Sequence, residues 1–275
     1  MISNEKIPLV AIIVPCYNQG QYLGECLDSV LAQTVQDWVC IVVNDGSTDD
    51  TAKVAEGYCL KSDKIRYHYQ ENAGLPATRN KGIALTNSKY ILPLDADDML
   101  EPNYLEVVLG LFEENPEIKI AYTNCRYFGY KNKLVKLPTY NPKTILVENQ
   151  INATGLYKRS DYEKTTGYDP NLKAREDWDF WLSLLNKDDI VAKSLDHLFL
   201  YRQREESMNR SVTDKDLVGI RSIIYQKHFS KFQSYPEFST LSKYLKFHRK
   251  RKVKMWFMEI KSAILRRLKL NKIIK

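Results

Sequence analysis

Tyr90-Ile91-Leu92-Pro93-Leu94-Asp95-Ala96-Asp97-Asp98 is an apolar run of strand length that ends in three carboxylates within four residues. A solvated turn after a buried strand accounts for one acid. Like charges this close repel unless something positive sits between or beside them. Divalent cations take oxygen ligands, and ligands of open α/β sheets bind at the carboxyl ends of the strands. The stretch therefore reads as a strand end holding a metal-bound, phosphorylated ligand at Asp95 and Asp97.

Upstream, Leu9 to Val14 is another continuous apolar run, closed by Pro15 and the turn residues Tyr17-Asn18-Gln19-Gly20. Tyr22, Leu23, Cys26, Leu27, Val30 and Leu31 follow at helical spacing. Trp38 to Val43 predicts a second buried strand, broken at Asn44-Asp45-Gly46-Ser47-Thr48-Asp49, where Ser47, Thr48 or Asp49 can cap a helix over Thr51–Leu60. Ile65 to Tyr69 alternates as a short strand, Pro76 opens a helix through Leu85, and Asn103 to Phe112 is helical. This alternation predicts an α/β protein with a mostly parallel sheet and helices on both faces. No G-x-G-x-x-G follows the first strand and no P-loop pattern occurs.

Downstream the rhythm changes. Ile118–Phe128 and Lys133–Leu137 read as strands joined by a turn, 140–152 as polar and irregular, and Arg159–Lys164 as a short helix. Trp178, Trp181, Leu182 and Leu185 form an apolar helical face. Glu176 and Asp177 lie at that helix start, where carboxylates suit the positive end of the dipole. Ile190–Ala192 and Leu198–Tyr201 read as two short strands, and Leu217–Phe229 as a helix.

The chain has 275 residues, 44% hydrophobic and 27% charged, with 11 Gly and 10 Pro. That excludes collagenous and low-complexity classes and allows one large core or a core plus an appendage. No apolar run reaches the roughly 18 residues of a membrane-crossing helix, and Met1–Lys6 lacks the features of a signal peptide. Cys16, Cys26, Cys40, Cys59 and Cys125 are odd in number, without a C-x-x-C pair, and read as reduced, buried thiols of a cytoplasmic protein. His68, His197, His228 and His248 show no ligand spacing.

Six motifs stand in order: Val14-Pro15-Cys16-Tyr17-Asn18, Val43-Asn44-Asp45-Gly46-Ser47-Thr48-Asp49, Asn72-Ala73-Gly74-Leu75 with Ala77-Thr78-Arg79-Asn80, Leu94-Asp95-Ala96-Asp97-Asp98, Gly167-Tyr168-Asp169, and Glu176-Asp177-Trp178-Asp179-Phe180-Trp181-Leu182. With them the sequence resembles the inverting glycosyltransferases of family 2, from about Leu9 to Met208. The resemblance implies a GT-A fold, a Rossmann-like mostly parallel sheet, over 1–230 and a basic helical extension over 231–275. It implies a nucleotide-sugar donor, a UDP-sugar, and Mn2+ or Mg2+ as cofactor. Asp97 would be the direct metal ligand and Asp95 would contact the ribose or the metal through water. Asp45 would accept from the imide N–H of the base, Tyr17 would stack on it, and Pro15, Asn18, Ala96 and Arg79 would complete the nucleotide pocket.

An acceptor hydroxyl is a poor nucleophile at neutral pH, so a carboxylate must take its proton. The resemblance assigns this to Asp177, with Glu176 orienting the acceptor or the loop; the reverse assignment makes Asp177 a helix cap. Asp179 would face away or cap the helix. Plainer readings make Asp45 a turn residue, Tyr17 a packed loop aromatic, and Arg79 a surface partner of Asp98 or Glu71. One departure stands out. The family's histidine in the stretch Tyr201-Arg202-Gln203-Arg204-Glu205-Glu206-Ser207-Met208 is here Arg204, which cannot ligate metal but can clamp phosphate.

From Lys246 onward twelve Lys/Arg face one acid, Glu259, while the remainder holds 29 basic and 33 acidic residues. Val253, Trp256, Phe257, Ile260, Ile264 and Leu268 fall at helical spacing among the basic residues. Such a helix reads as attaching the protein peripherally to the inner face of the plasma membrane, near a glycan or lipid-linked acceptor; packing on the body is the alternative, and no nucleic-acid recognition motif accompanies the charge. Two other functional readings stay open. One is a sugar nucleotidyltransferase, which wants a basic glycine-rich loop where Pro15-Cys16-Tyr17-Asn18-Gln19 stands. The other is a non-catalytic nucleotide- or glycan-binding partner of a membrane assembly.

Overall fold

The apolar runs become parallel strands β1 (Val10–Cys16), β2 (Trp38–Asp45), β3 (Ile65–Gln70) and β4 (Tyr90–Pro93), in a computed structural model that describes residues 6–204 and 214–247. Strand β1 is central, paired with β2 from Val10↔Trp38 to Cys16↔Asn44 and with β4 from Val10↔Tyr90 to Ile13↔Pro93. All seven residues of β1 and all eight of β2 are buried. The reason is that helices cover both faces. Ile12 and Val14 share a core with Leu23, Cys26 and Leu27 of α1 (Gly20–Leu31) and with Leu105 and Val108 of α4 (Tyr104–Glu114). Ile13 points to the opposite face, where α3 (Leu75–Ala84) crosses so closely that a Cβ on Gly82 would lie 2.5 Å from Ile13 Cγ2. Truncating a side chain of this sheet, as in Leu92→Ala, should cost about 2–5 kcal/mol.

The two prolines locate the place where the sheet opens. Residues of one strand aim their N–H and C=O groups alternately to either neighbour. The Ile13 carbonyl accepts from Leu94 N–H, so Pro15 faces the same side, beyond the last β1–β4 pair. Leu94 faces β1, so Pro93 faces the other way, toward β8 (Leu156–Lys158), whose pairing with β4 ends at Ile91↔Tyr157. Neither missing N–H leaves a ladder bond unmade. Both strands therefore end at one edge, with Tyr17-Asn18 and Asp95-Ala96-Asp97 just past it.

The second half of the sheet differs from the sequence reading in its details. The strand order is β3-β2-β1-β4-β8-β6-β9-β5, with β5 (Met99–Leu100), β6 (Ile118–Gly129), β9 (Ile190–Gln203), and β7 (Lys133–Val135) paired to β6. Strands β8, β5 and β7 run antiparallel to their neighbours, and β8 and β5 are too short for periodicity to mark. The two strands expected at Ile190–Ala192 and Leu198–Tyr201 are one strand. The polar segment between them is absorbed as a register slip: Thr123 pairs with Ser194 and Asn124 with His197. The Asn124 amide donates to the Leu195 carbonyl within that slip. The bulge explains why a break in hydrophobicity did not break the strand.

The chain divides into two compact units, Met1–Thr213 and Asp214–Lys275. In the second, α7 (Asp214–Lys227), where a helix over Leu217–Phe229 was expected, joins α8 (Phe229–Gln233) in an aromatic core of Tyr225, Phe232, Phe238 and Tyr244. Ring centroids there lie 4.8 Å (Tyr225–Phe232) and 4.9 Å (Phe232–Tyr244) apart. Position 230, where the sequence reading placed its domain boundary, falls inside α8. The basic helix expected from Arg249 onward lies outside the described residues. No helix among the described residues is long and apolar enough to cross a membrane. All five cysteines are free, and four are buried.

Candidate active site

Helix α3 starts abruptly, with Gly74 at φ 86° before it and Pro76 in its first turn. Its second turn delivers Arg79 into the interior, 1% exposed. One guanidinium nitrogen lies 2.7 Å from Asp95 Oδ1, the other 2.6 Å from Glu176 Oε1. Burial opposes the charge of this guanidinium, but the Asp95 and Glu176 carboxylates outweigh it and hold the group protonated well beyond its ordinary range. Arg79 is thus neither a surface residue nor a partner of Asp98 or Glu71. It joins Asp95 to α6 (Glu176–Leu184), the helix that follows the short α5 (Arg159–Tyr162). The next residue, Asn80, works in the same direction: its amide donates to the Tyr168 carbonyl at 2.7 Å and accepts from Tyr168 N–H at 2.9 Å. A Cβ on Gly167, at φ 73°, would lie 2.7 Å from the Asn80 amide oxygen, so the Gly167-Tyr168 turn needs its glycine.

At the end of β4 the three acids have separate fates. Asp95 is 30% exposed on its Arg79 contact. Asp97, 12% exposed, lies 3.0 Å from Arg204. Burial and the neighbouring Asp95 push its carboxyl up, and Arg204 pulls against them. Asp98 turns inward, 2% exposed, and accepts the Arg202 backbone N–H at 2.8 Å. It does not hold Arg79; it fastens β9 to this edge. Arg202 donates from Nε to the Asp97 carbonyl and packs over Tyr22 and Phe128, 4.7 and 4.4 Å from their ring centres. Ala96 is fully buried between the acids.

The ends of β1 and β2 form an adjoining wall. Asn18, at φ 51°, accepts Thr48 N–H at 2.8 Å, and its own N–H donates to Ser47 Oγ at 3.0 Å. Tyr17 beside it is 52% exposed. Asp45 is buried and holds the next loop: Oδ1 accepts from Ala73 N–H and Gln70, and Oδ2 from Gly74 N–H, all within 2.9 Å. Its role is therefore more than that of a turn residue. Asp49 accepts from Gly20 N–H at 2.8 Å and Thr51 N–H at 3.0 Å, so one carboxylate serves the starts of α1 and α2 (Thr51–Lys61).

Helix α6 is preceded by Arg175 at φ 64°, a strained conformation for a residue with a side chain. Asp177 Oδ1 accepts Trp178 N–H at 2.8 Å, and Oδ2 accepts from the Asn149 amide at 2.7 Å. Burial first, then the Glu176 charge, push the Asp177 carboxyl up to about 6, against the pull of Arg79 and Arg175. Asp179, in the first turn of α6, is fully buried. Phe180 stacks on Tyr168 at 4.3 Å, and Trp178 Nε1 donates to the Ile145 carbonyl at 2.6 Å. Asn149, Asn80 and Tyr168 were given no role from sequence, although Asn80 and Tyr168 lay inside quoted motifs. Asn149 lay in a stretch with no pattern to single it out.

Among the described residues no group of three or more His, Cys, Asp or Glu could hold a metal ion. Asp95 and Asp97 are oxygen donors of the kind a magnesium-like cation uses one or two of beside phosphates and water, and both are here ion-paired, Asp95 with Arg79 and Asp97 with Arg204. A separate cavity of about 340 Å3, lined by Glu101, Arg126, Leu134 and His197 among others, contains none of these residues.

Residues 11–181 match the family described as Glycosyl transferase family 2. The chain belongs to that family. It is 28% identical over 184 residues to a chondroitin synthase of Escherichia coli, covering 66% of this chain and 27% of that protein. It is 32% identical over 217 residues to an uncharacterized glycosyltransferase of Rickettsia typhi, covering 74% and 66%. Against an uncharacterized glycosyltransferase of Bacillus subtilis it covers 63% of the relative's length, so the chain spans only part of several relatives. Among solved structures, Staphylococcus aureus TarS 1–349 in complex with UDP-GlcNAc superposes with TM-score 0.69 at 20% identity, over 88% of this chain and 74% of that one. A mannosyltransferase from Pyrobaculum calidifontis in complex with GDP-Man and Mn2+ gives 0.55 at 16%, over 84% and 64%. The fold is thus that of GT-A glycosyltransferases, as expected from the sequence.

Proposed function

We propose that the chain is a metal-dependent inverting glycosyltransferase, hexosyl- or N-acetylhexosaminyl-, that moves a sugar from a UDP-sugar to a hydroxyl of a glycan or lipid-linked acceptor. The observation that carries this reading is Arg79, whose two ion pairs set Asp95 and Glu176 on either side of one buried cation. Asp95 and Glu176, distant in sequence, are thereby brought to one guanidinium. The UDP-GlcNAc bound to TarS and the name of the chondroitin synthase support the donor and polysaccharide acceptor.

Tyr17 stacks on the base, and Asp45 holds the loop beside it and approaches the imide N–H. Pro15, Asn18 and Ala96 bound the nucleotide with their backbone. Arg204 clamps the diphosphate. Bound Mn2+ or Mg2+, held by Asp97 with Asp95, would neutralise the charge growing on the diphosphate leaving group. Asp177 takes the proton of the acceptor hydroxyl as its oxygen bonds to the anomeric carbon and the bond to the diphosphate breaks on the opposite face. One displacement inverts that centre. Glu176, fixed by Arg79, orients the acceptor side.

A mass-spectrometric screen of sugar nucleotides with Mn2+ or Mg2+ tests this. Transfer or slow hydrolysis of one donor supports it. Pyrophosphate release from a nucleoside triphosphate would favour a nucleotidyltransferase. Nucleotide binding without turnover, for any acceptor, would favour a binding partner of a membrane assembly. The basic segment from Lys246 supports peripheral attachment at the inner membrane face; flotation with anionic vesicles, with and without Arg249–Lys275, decides it, and unchanged flotation of the shortened chain refutes it.

A further inference from the structure

We infer that Asn149 is a positioning residue for the Asp177 carboxylate, and that the 140–152 loop acts on the reaction through it; this rests on the reading of Asp177 as the base. The amide of Asn149 has only one orientation compatible with its neighbours. Its oxygen accepts Ile151 N–H at 3.2 Å, which leaves the NH2 group to donate to Asp177 Oδ2 at 2.7 Å. Asp177 Oδ1 is turned the other way by Trp178 N–H. The carboxylate plane is therefore fixed from two sides, by its own helix and by the loop, with lone pairs left over for an incoming hydroxyl.

The loop is itself pinned where it could drift. Gln150, 3% exposed, accepts Asn141 N–H and donates to the Thr139 carbonyl, and Asn124 accepts Leu137 N–H. Ile145 takes the Trp178 indole N–H. Asn149 thus hands the rigidity of the loop to one carboxylate oxygen. A donor to the ionised form also favours that form. Burial and the Glu176 charge raise the group, while Arg79 from α3, the Trp178 N–H and Arg175 from the helix cap lower it, with buried Tyr168 packed nearby; by its geometry the Asn149 donor stands on the lowering side. Without Asn149 the base would be both looser and harder to ionise.

Two variants separate this from loop-holding. Asn149→Asp keeps the acceptor for Ile151 N–H and replaces the donor by a like charge; Asn149→Leu removes both. The readout is the titration of the Asp177 carboxyl by 13C NMR in aspartate-labelled full-length protein, assigned with Asp177→Asn, beside the pH dependence of kcat and calorimetric affinity for UDP with Mn2+. The expected result is a midpoint raised by about one unit or more in both variants. The acid limb of kcat should move with it, and UDP affinity should stay unchanged. A wild-type midpoint and acid limb in either folded variant overturns the inference; Asn149→Leu is the decisive one, since the charge added in Asn149→Asp raises the midpoint by itself. The carboxyl titration stands whether or not a donor is turned over. A wild-type chain inactive with every sugar nucleotide would therefore sink the proposed function without touching this result.

Discussion

Asp95 and Asp97 leave the end of a strand whose register is set residue by residue, whereas Glu176 and Asp177 start a helix that no strand pairing positions. The strand-end acids inherit their place from β1 and β4. The helix-start acids are held by side-chain contacts, Arg79 from α3 on Glu176 and Asn149 from the 140–152 loop on Asp177, and the Trp178 indole ties the same helix to the Ile145 carbonyl. Backbone pairing makes one half of the site rigid at little cost in specificity of sequence. The other half depends on single contacts, each of which a substitution can remove. Such an arrangement suits a fixed donor site beside an acceptor site that can vary.

Arg79 is where the comparison breaks most completely, because it serves both halves. Arg79→Met leaves Glu176, 12% exposed, and Asp95, 30% exposed, without their shared cation. Removing one partner of a buried pair costs about 3–5 kcal/mol, nearer the lower figure here because water reaches Asp95. Urea unfolding should show that loss, and transfer should vanish with it. A loss under about 1 kcal/mol would mean the halves are held together by Asn80 and the aromatic packing instead.

Asp177→Asn should break only the second half. A positioned base contributes about 10²–10⁴-fold, so transfer should fall by that factor while UDP–Mn2+ affinity is kept. Wild-type turnover in this variant refutes its role. The raised carboxyl also fixes the sign of a pH effect. Only the ionised form accepts a proton, and it is lost as pH falls through about 6, so transfer should drop about tenfold per unit below that point. A limb near 4 would place the base elsewhere.

The strand-end half is probed by Arg204, which faces Asp97 at 3.0 Å. If its charge also meets the diphosphate, Arg204→Gln should weaken UDP binding by about 10–100-fold, the worth of a charge-assisted hydrogen bond. Asp177→Asn and Arg204→Gln should then be nearly additive, since they act on separate halves. Strong coupling in a double-mutant cycle would show the halves to be one unit.

The same contrast explains what could be read without a structure. The ends of β1, β2 and β4 were legible because buried parallel strands are continuous apolar runs and prolines mark where pairing stops. Asp98 was misread because an acid after a strand normally stays in water, and nothing local tells that a backbone N–H 104 residues later will satisfy it. The partners of Arg79 were missed for a similar reason: Glu176 is 97 residues away, and only the tertiary fold brings the start of α6 to the Arg79 guanidinium. Asn149 carries no pattern at all. Contacts set by register have a period that sequence reveals; contacts set by loop packing have none.

Arg175→Gly should have the smallest effect, and its sign is informative. The left-handed conformation at φ 64° costs an ordinary residue about 1–2 kcal/mol, a cost that glycine escapes. Glycine returns about 0.4–1 kcal/mol of that through its freer unfolded chain. The net gain should be about 0–1.6 kcal/mol, seen as a melting temperature raised by at most about 6 °C. Arg175 also pulls the Asp177 carboxyl down, so its removal should move the acid limb of transfer slightly upward. A variant more stable yet less active near pH 6 would show that strain at the helix start is retained for the charge it places beside the base. A lowered melting temperature would show instead that the Arg175 side chain contributes packing, and that α6 is better anchored at its start than its side-chain contacts suggest.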